Sequence, residues 1–207
     1  MFDILLQALV RRGIWRLGVL VLLAGLSACG SAPPRGRVGG VEMGASTRVP
    51  GISCAPFARE LSGIALYGDA DVWWREADGR YSRASRPELG GVLVFQRSGR
   101  LPSGHVSVVS RILGPRQVLV TQANWVRGQL DRDQLVVDVS GRNDWTEVRV
   151  WYPPVGQLGT HEYATYGFIL PRRPATPEEL ARATLPAARY ALDTSGRPPP
   201  RARGSGR

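Results

Sequence analysis

GGVLVFQRSGRLPSGHVSVVSRILGPRQVLVTQANW, residues 90–125, is where the chain takes on the hydrophobic period of strands. Val92–Phe95 is a short apolar run entered through two glycines. Val106–Leu113 is a second run, and Gly114-Pro115 turns the chain into Val118–Val120. Short apolar runs separated by Gly/Pro turns predict antiparallel strands. Further runs of this kind follow at Leu135–Val139, Val148–Tyr152 and Tyr163–Leu170. Upstream the pattern is helical. Ser53 suits an N-cap, Pro56 fits a first turn, Phe57, Leu61 and Ile64 share one face, and Gly63 can stop the helix. A second helical piece is predicted over Asp69–Ala77, and a last one over 176–192 with Thr176 as cap. Helices first and strands after predict an α+β fold, with N-terminal helices packed on a curled antiparallel β-sheet.

The 207 residues suffice for one domain with tails, and they carry a net charge of +10. That charge is unevenly spread. Residues 51–193 hold 17 arginines against 15 acids, so most of the excess lies in the two ends. A phosphate-binding face on the folded part is therefore not expected, nor a nucleic-acid partner.

At the N-terminus, Arg11, Arg12 and Arg16 precede the apolar run LGVLVLLAGLSACGS, which has the shape of a secretory signal. Its end, Leu26-Ser27-Ala28-Cys29, resembles a bacterial lipobox. That resemblance implies a lipidated Cys29 and an exported, periplasmic protein anchored in a membrane, the outer membrane being favoured. Residues 1–28 are then a signal peptide, with the lipobox at 26–29, and 29–50, rich in Gly, Pro and Ser, a flexible linker. The domain proper is expected over 51–172. A C-terminal helical segment at 173–193 and a disordered basic tail at 194–207 complete the chain. Export makes Cys54 conspicuous, because structural cysteines in an oxidising compartment usually come in pairs. With Cys29 lipidated or removed, Cys54 has no partner, and it reads either as a small buried hydrophobe or as a nucleophile.

The two histidines are His105, opening a strand after a glycine turn, and His161, in a Gly-rich loop where a solvated side chain is expected. A cysteine at a helix start can be held as thiolate by the helix dipole and free N–H groups, and a nearby imidazole can move its proton. Gln122 and Asn124 would share one face of a strand running through VLVTQANW, and the turn at Gly114-Pro115 brings that strand beside His105. Trp74 and Trp125 are candidates for a substrate cleft. Separated histidines and one cysteine give no zinc-ligand spacing, so neither a metal nor another cofactor is expected.

In order, Cys54-Ala-Pro-Phe-Ala-Arg, Gly68-Asp-Ala-Asp-Val-Trp73-Trp74, Pro87–Phe95, Gly104-His105-Val106 and Gln122-Ala-Asn124-Trp125 resemble the CHAP family of cysteine, histidine-dependent amidohydrolases/peptidases. The resemblance implies a papain-like fold and cleavage of an amide bond in peptidoglycan, either muramoyl–alanine or within the stem peptides. It implies Cys54 as nucleophile, His105 as base and acid, and Gln122 and Asn124 as the groups that orient the ring. The family commonly has Glu where this chain has Gln122, and often Asp at the position of Gly91. The amide can hold the imidazole but cannot supply a charge to it. A second reading is therefore a weak or inactive envelope lipoprotein that uses the same cleft to bind wall peptides or a protein partner.

Overall fold

Val92–Phe95 is buried on both faces, and the structure is organised around that double burial. The computed structural model describes residues 36–182; the signal-peptide segment with Cys29, the first residues of the linker and the chain beyond Arg182 lie outside them. The elements begin with β1 (Arg37–Val38), β2 (Val41–Glu42) and β3 (Ser46–Arg48), followed by α1 (Cys54–Ser62). A 3-10 turn (Ala70–Val72) leads into α2 (Trp73–Glu76). Then come β4 (Arg83–Ala84), β5 (Val92–Phe95), β6 (His105–Gly114), β7 (Gln117–Ala123) and β8 (Gln129–Asp138). The series ends with β9 (Glu147–Tyr152), β10 (Gln157–Leu158), β11 (Tyr163–Ile169) and α3 (Pro177–Arg182).

The strands do not form the curled sheet under helices that the sequence predicts. They close into a six-stranded antiparallel barrel in the order β5-β6-β7-β8-β9-β11, with β11 returning to β5. Among the described residues the helices outside it are few and short, the longest being the nine residues of α1. Closure is made by β8 and β11, each of which pairs with β9 on one edge and with an earlier strand on the other. Bulges between Val109 and Arg111 and between Val120 and Gln122 bend β6 and β7 enough for this. Pairing across a closed sheet is a long-range property that runs of apolar residues do not announce.

Alternation then sorts the side chains. Leu93 and Phe95 point into the barrel with Val118, Val120, Val136, Trp145, Val150 and Phe168. Val92 and Val94 point outward and meet Ala58, Ile64, Leu66 and Trp73 from the helical segment. Each such aliphatic or aromatic side chain contributes about 1.5–3 kcal/mol by leaving water. Gly63 ends α1 in the left-handed conformation (φ 71), and Thr176 caps α3 by accepting from Glu179 N while Glu179 accepts from Thr176 N.

The linker expectation also changes from residue 36 on. β1 and β2 pair with each other, and β3 adds to β8 with Ser46 opposite Asp131. Met43 and Val49 are buried, Met43 against Leu119, Leu135 and Trp151. The glycines that suggested a tether allow close packing: a Cβ on Gly44 would lie 2.4 Å from the Arg132 carbonyl oxygen.

Candidate active site

Cys54 is the first residue of α1. Ser53 before it is extended (φ −126) and makes no side-chain cap, so the first-turn N–H groups are left to the cleft. His105 is the first residue of β6. Gly104 before it has φ 68, and a Cβ there would lie 2.8 Å from Asp71 N and 2.9 Å from the Phe95 carbonyl oxygen. Only glycine fits this conformation between two backbones. Gly104→Ala is expected to cost more than the ~1–2 kcal/mol of a left-handed residue alone, read as a fall in thermal midpoint of several degrees.

Cys54 and His105 line one cavity of about 730 Å³, together with Arg59, Asp69, Arg100 and Asn124. His105 is 3% exposed. Its Nε2 lies 3.1 Å from Gln122 Oε1, so the ring donates to the amide oxygen and Nδ1 keeps its lone pair. The Trp125 ring packs edge-on at 5.1 Å and Phe95 at 5.4 Å. Burial in this apolar setting lowers the imidazole to a pKa of about 4, with the Gln122 hydrogen bond acting in the opposite direction. Burial raises the Cys54 thiol. Backbone groups of Val106, Ala55 and Cys54 itself pull it down, and Asp69 pushes it further up. At neutral pH the resting pair is thus a thiol and a neutral imidazole. The helix-stabilised thiolate expected from the sequence is outweighed by desolvation.

Asn124 does not hold the ring. β7 ends at Ala123, Asn124 turns left-handed (φ 61), and its Oδ1 accepts from Gly128 N at 2.9 Å. Strand alternation stops one residue before the sequence reading carried it, so Asn124 shapes the 124–129 turn at the cavity rim. Trp74 is likewise not a lining residue of this cavity; it stacks on Tyr166 at 5.8 Å under Arg83. Trp125 covers His105 and also lines a neighbouring cavity of about 400 Å³ with Arg100, Tyr152, His161 and Tyr163. His161, expected in solvent, is therefore exposed on a wall of that groove.

Two further residues were not among the predicted site residues. Asp69 faces the thiol and accepts from the Ser103 hydroxyl at 3.2 Å, tying the 3-10 turn to the loop that leads to His105. Asp131 is fully buried, directly opposite Gln122 on one side and Ser46 on the other. Burial raises its carboxyl, against the pull of the Ser46 hydroxyl and the Val126 backbone. Asp69 lies in a motif the sequence shows, without its place at the cavity, whereas Asp131 was not accessible without knowing which strands pair. Among the described residues no group of three or more His, Cys, Asp or Glu is arranged to hold a metal ion.

A thiol and an imidazole on one cavity, with an amide holding the ring, are the working parts of a cysteine-dependent hydrolase. Residues 44–124 match the family model of the CHAP domain. The match runs from just before β3 to Asn124 and contains Cys54, His105 and Gln122. CHAP domains are typically cysteine- and histidine-dependent amidohydrolases with peptidoglycan-related activity. A search of curated proteins finds no match to the chain.

Proposed function

We propose that this protein hydrolyses an amide bond of peptidoglycan, at the muramoyl–alanine link or within the stem peptides, through a thioester on Cys54. The observation that carries the reading is the His105 ring held by Gln122 on the same cavity as Cys54. His105 Nδ1 takes the thiol proton as the sulfur attacks the amide carbon. The oxyanion forms beside the uncapped start of α1, where the Cys54 N–H can donate to it. The imidazolium then protonates the leaving amine, and the C–N bond breaks. Water, deprotonated by the same nitrogen, cleaves the thioester to a carboxylic acid and restores the thiol.

A neutral resting pair suits this route, because the proton leaves sulfur as the new bond forms and needs no standing thiolate. Trp125 keeps water off the His105–Gln122 hydrogen bond. Arg100, on the walls of both cavities, is placed to receive a carboxylate of the stem peptide. Residues 1–29 add the proposal that the protein works in the periplasm from a lipid anchor on Cys29, with the outer membrane favoured.

The test is incubation of the purified protein with purified peptidoglycan, measuring new amino groups and new reducing ends and weighing the released fragments. Amino groups are expected to rise while reducing ends stay flat, and fragment masses will identify the bond. Reducing ends without amino groups would overturn the reaction class. Retention of wall peptides with no release would overturn catalysis and make the cleft a binding site.

A further inference from the structure

The base at the heart of the proposed reaction is held by an amide, and an amide has two ends. Gln122 is fully buried, and its Oε1 serves His105, yet among the described residues its Nε2 has no hydrogen-bond partner. Neither Asp131 oxygen has one in good geometry, although that side chain too is fully buried. Gln122 and Asp131 are direct partners across β7 and β8. Residues so paired share a face and carry their Cβ atoms about 4.5–5.5 Å apart, within reach of these two side chains. The Ser46 hydroxyl and the Val126 backbone reach the carboxyl only at poor geometry, so both buried groups are left short of partners, and an unsatisfied buried polar group costs about 1–3 kcal/mol. One is a donor and the other an acceptor. On the opposite strand, one residue on from the Val108–Thr121 pair, the buried Ser107 hydroxyl is also without a partner.

We propose that Asp131 is a positioning residue for catalysis: it accepts from Gln122 Nε2, and so commits Gln122 Oε1 to His105. The inference deepens the reading of Cys54 and His105 as a catalytic pair. A carboxylate can accept only from the nitrogen end of the amide, so it decides which way the amide faces. An amide oxygen can accept only from a ring N–H, so it decides which nitrogen of His105 carries the proton. The chain Asp131–Gln122–His105 therefore fixes the Nε2–H tautomer and leaves Nδ1 as the base. It also gives a reason for glutamine at position 122. A glutamate there would set two carboxyl groups side by side in a buried row. The amide is a side chain of the same length that can join a carboxylate to an imidazole.

The tautomer can be read directly, without turnover, in long-range proton–nitrogen spectra of the ¹³C,¹⁵N-labelled full chain, which has only two histidines. His161→Gln assigns the second ring. The wild-type protein at pH 7 is expected to show His105 almost wholly as the Nε2–H form, with a coupling across the hydrogen bond from Gln122 Nε2 to the Asp131 carboxyl carbon. Asp131→Asn, which can face Gln122 either way, and Asp131→Ala are each expected to give a mixture of tautomers. They should lower kcat roughly 10–100-fold with KM little changed. An unchanged tautomer in a folded Asp131→Asn protein would overturn the proposal, even if its melting point fell, because Asp131 would then be only structural. So would mixed tautomers from Ser107→Ala but not from the Asp131 variants. Should neither Asp131 variant fold, the wild-type coupling decides alone, and its absence with both signals resolved overturns the idea. A wild-type protein that shows the coupling but cleaves no peptidoglycan would sink the proposed reaction and leave this arrangement standing.

Discussion

Cys54→Ala is expected to reduce amide cleavage by roughly 10⁴-fold or more while leaving the fold intact. The nucleophile cannot be replaced by its neighbours. Cys54 is the one cysteine among the described residues, and the cavity it shares with His105 holds no other thiol. Removing the sulfur removes the thioester and leaves only whatever rate the oxyanion donors and binding provide. The side chain is half-buried at the start of α1, and alanine keeps the helix, so stability should move by no more than about 1 kcal/mol. Rates measured by amine release, paired with thermal melts of both proteins, separate loss of chemistry from loss of fold. An alanine variant with wild-type rates would mean that Cys54 is a packing residue.

The second large effect is on stability. His105 has an ordinary value of 6.5 in the unfolded chain and about 4 in the folded one. Between those pH values the unfolded chain binds the extra proton, so stability rises with pH across the window. The contribution is fully present above pH 6.5 and is lost as pH falls to about 4. At pH 4.5 the loss should be about 2–3 kcal/mol. Asp131 works in the opposite sense. Its raised carboxyl keeps a proton in the folded state above the unfolded value of 3.8, so its effect lowers stability as pH rises there. Both proteins in a comparison with His105→Gln retain Asp131, and their difference isolates the histidine. Urea unfolding at pH 7.5 and 4.5 should show a markedly larger drop for the wild type. Equal drops would mean that the ring is not held neutral by burial.

The same two residues show what could be read from the sequence. Cys54 at a helix start, His105 after a glycine turn and Gln122 on the next strand were legible because each depends on local structure. Asn124 was misplaced by a single residue, where a left-handed turn ended the alternation. The first half of β8 was hidden for a physical reason: Asp131, Arg132, Asp133 and Gln134 form no apolar run, yet they lie in the strand, with Asp131 and Gln134 buried. That polar stretch carries the pairing with β3 and the residue directly opposite Gln122, while the closing pairs with β9 fall further on, at Val136–Asp138. The strands of residues 37–48 were concealed by glycines whose role is close approach rather than flexibility. Local periodicity reported the strands; their partners had to come from the folded chain.

The covalent step is observable by acid-quenching the protein during turnover of a soluble peptidoglycan peptide and weighing the proteolytic fragment that contains Cys54. A fraction of that fragment is expected to carry the acyl half of the substrate as a thioester, lost on treatment with hydroxylamine and absent from Cys54→Ala. Sustained amine release with the Cys54 fragment always unmodified, and undiminished after alkylation of Cys54 with iodoacetamide, would contradict it.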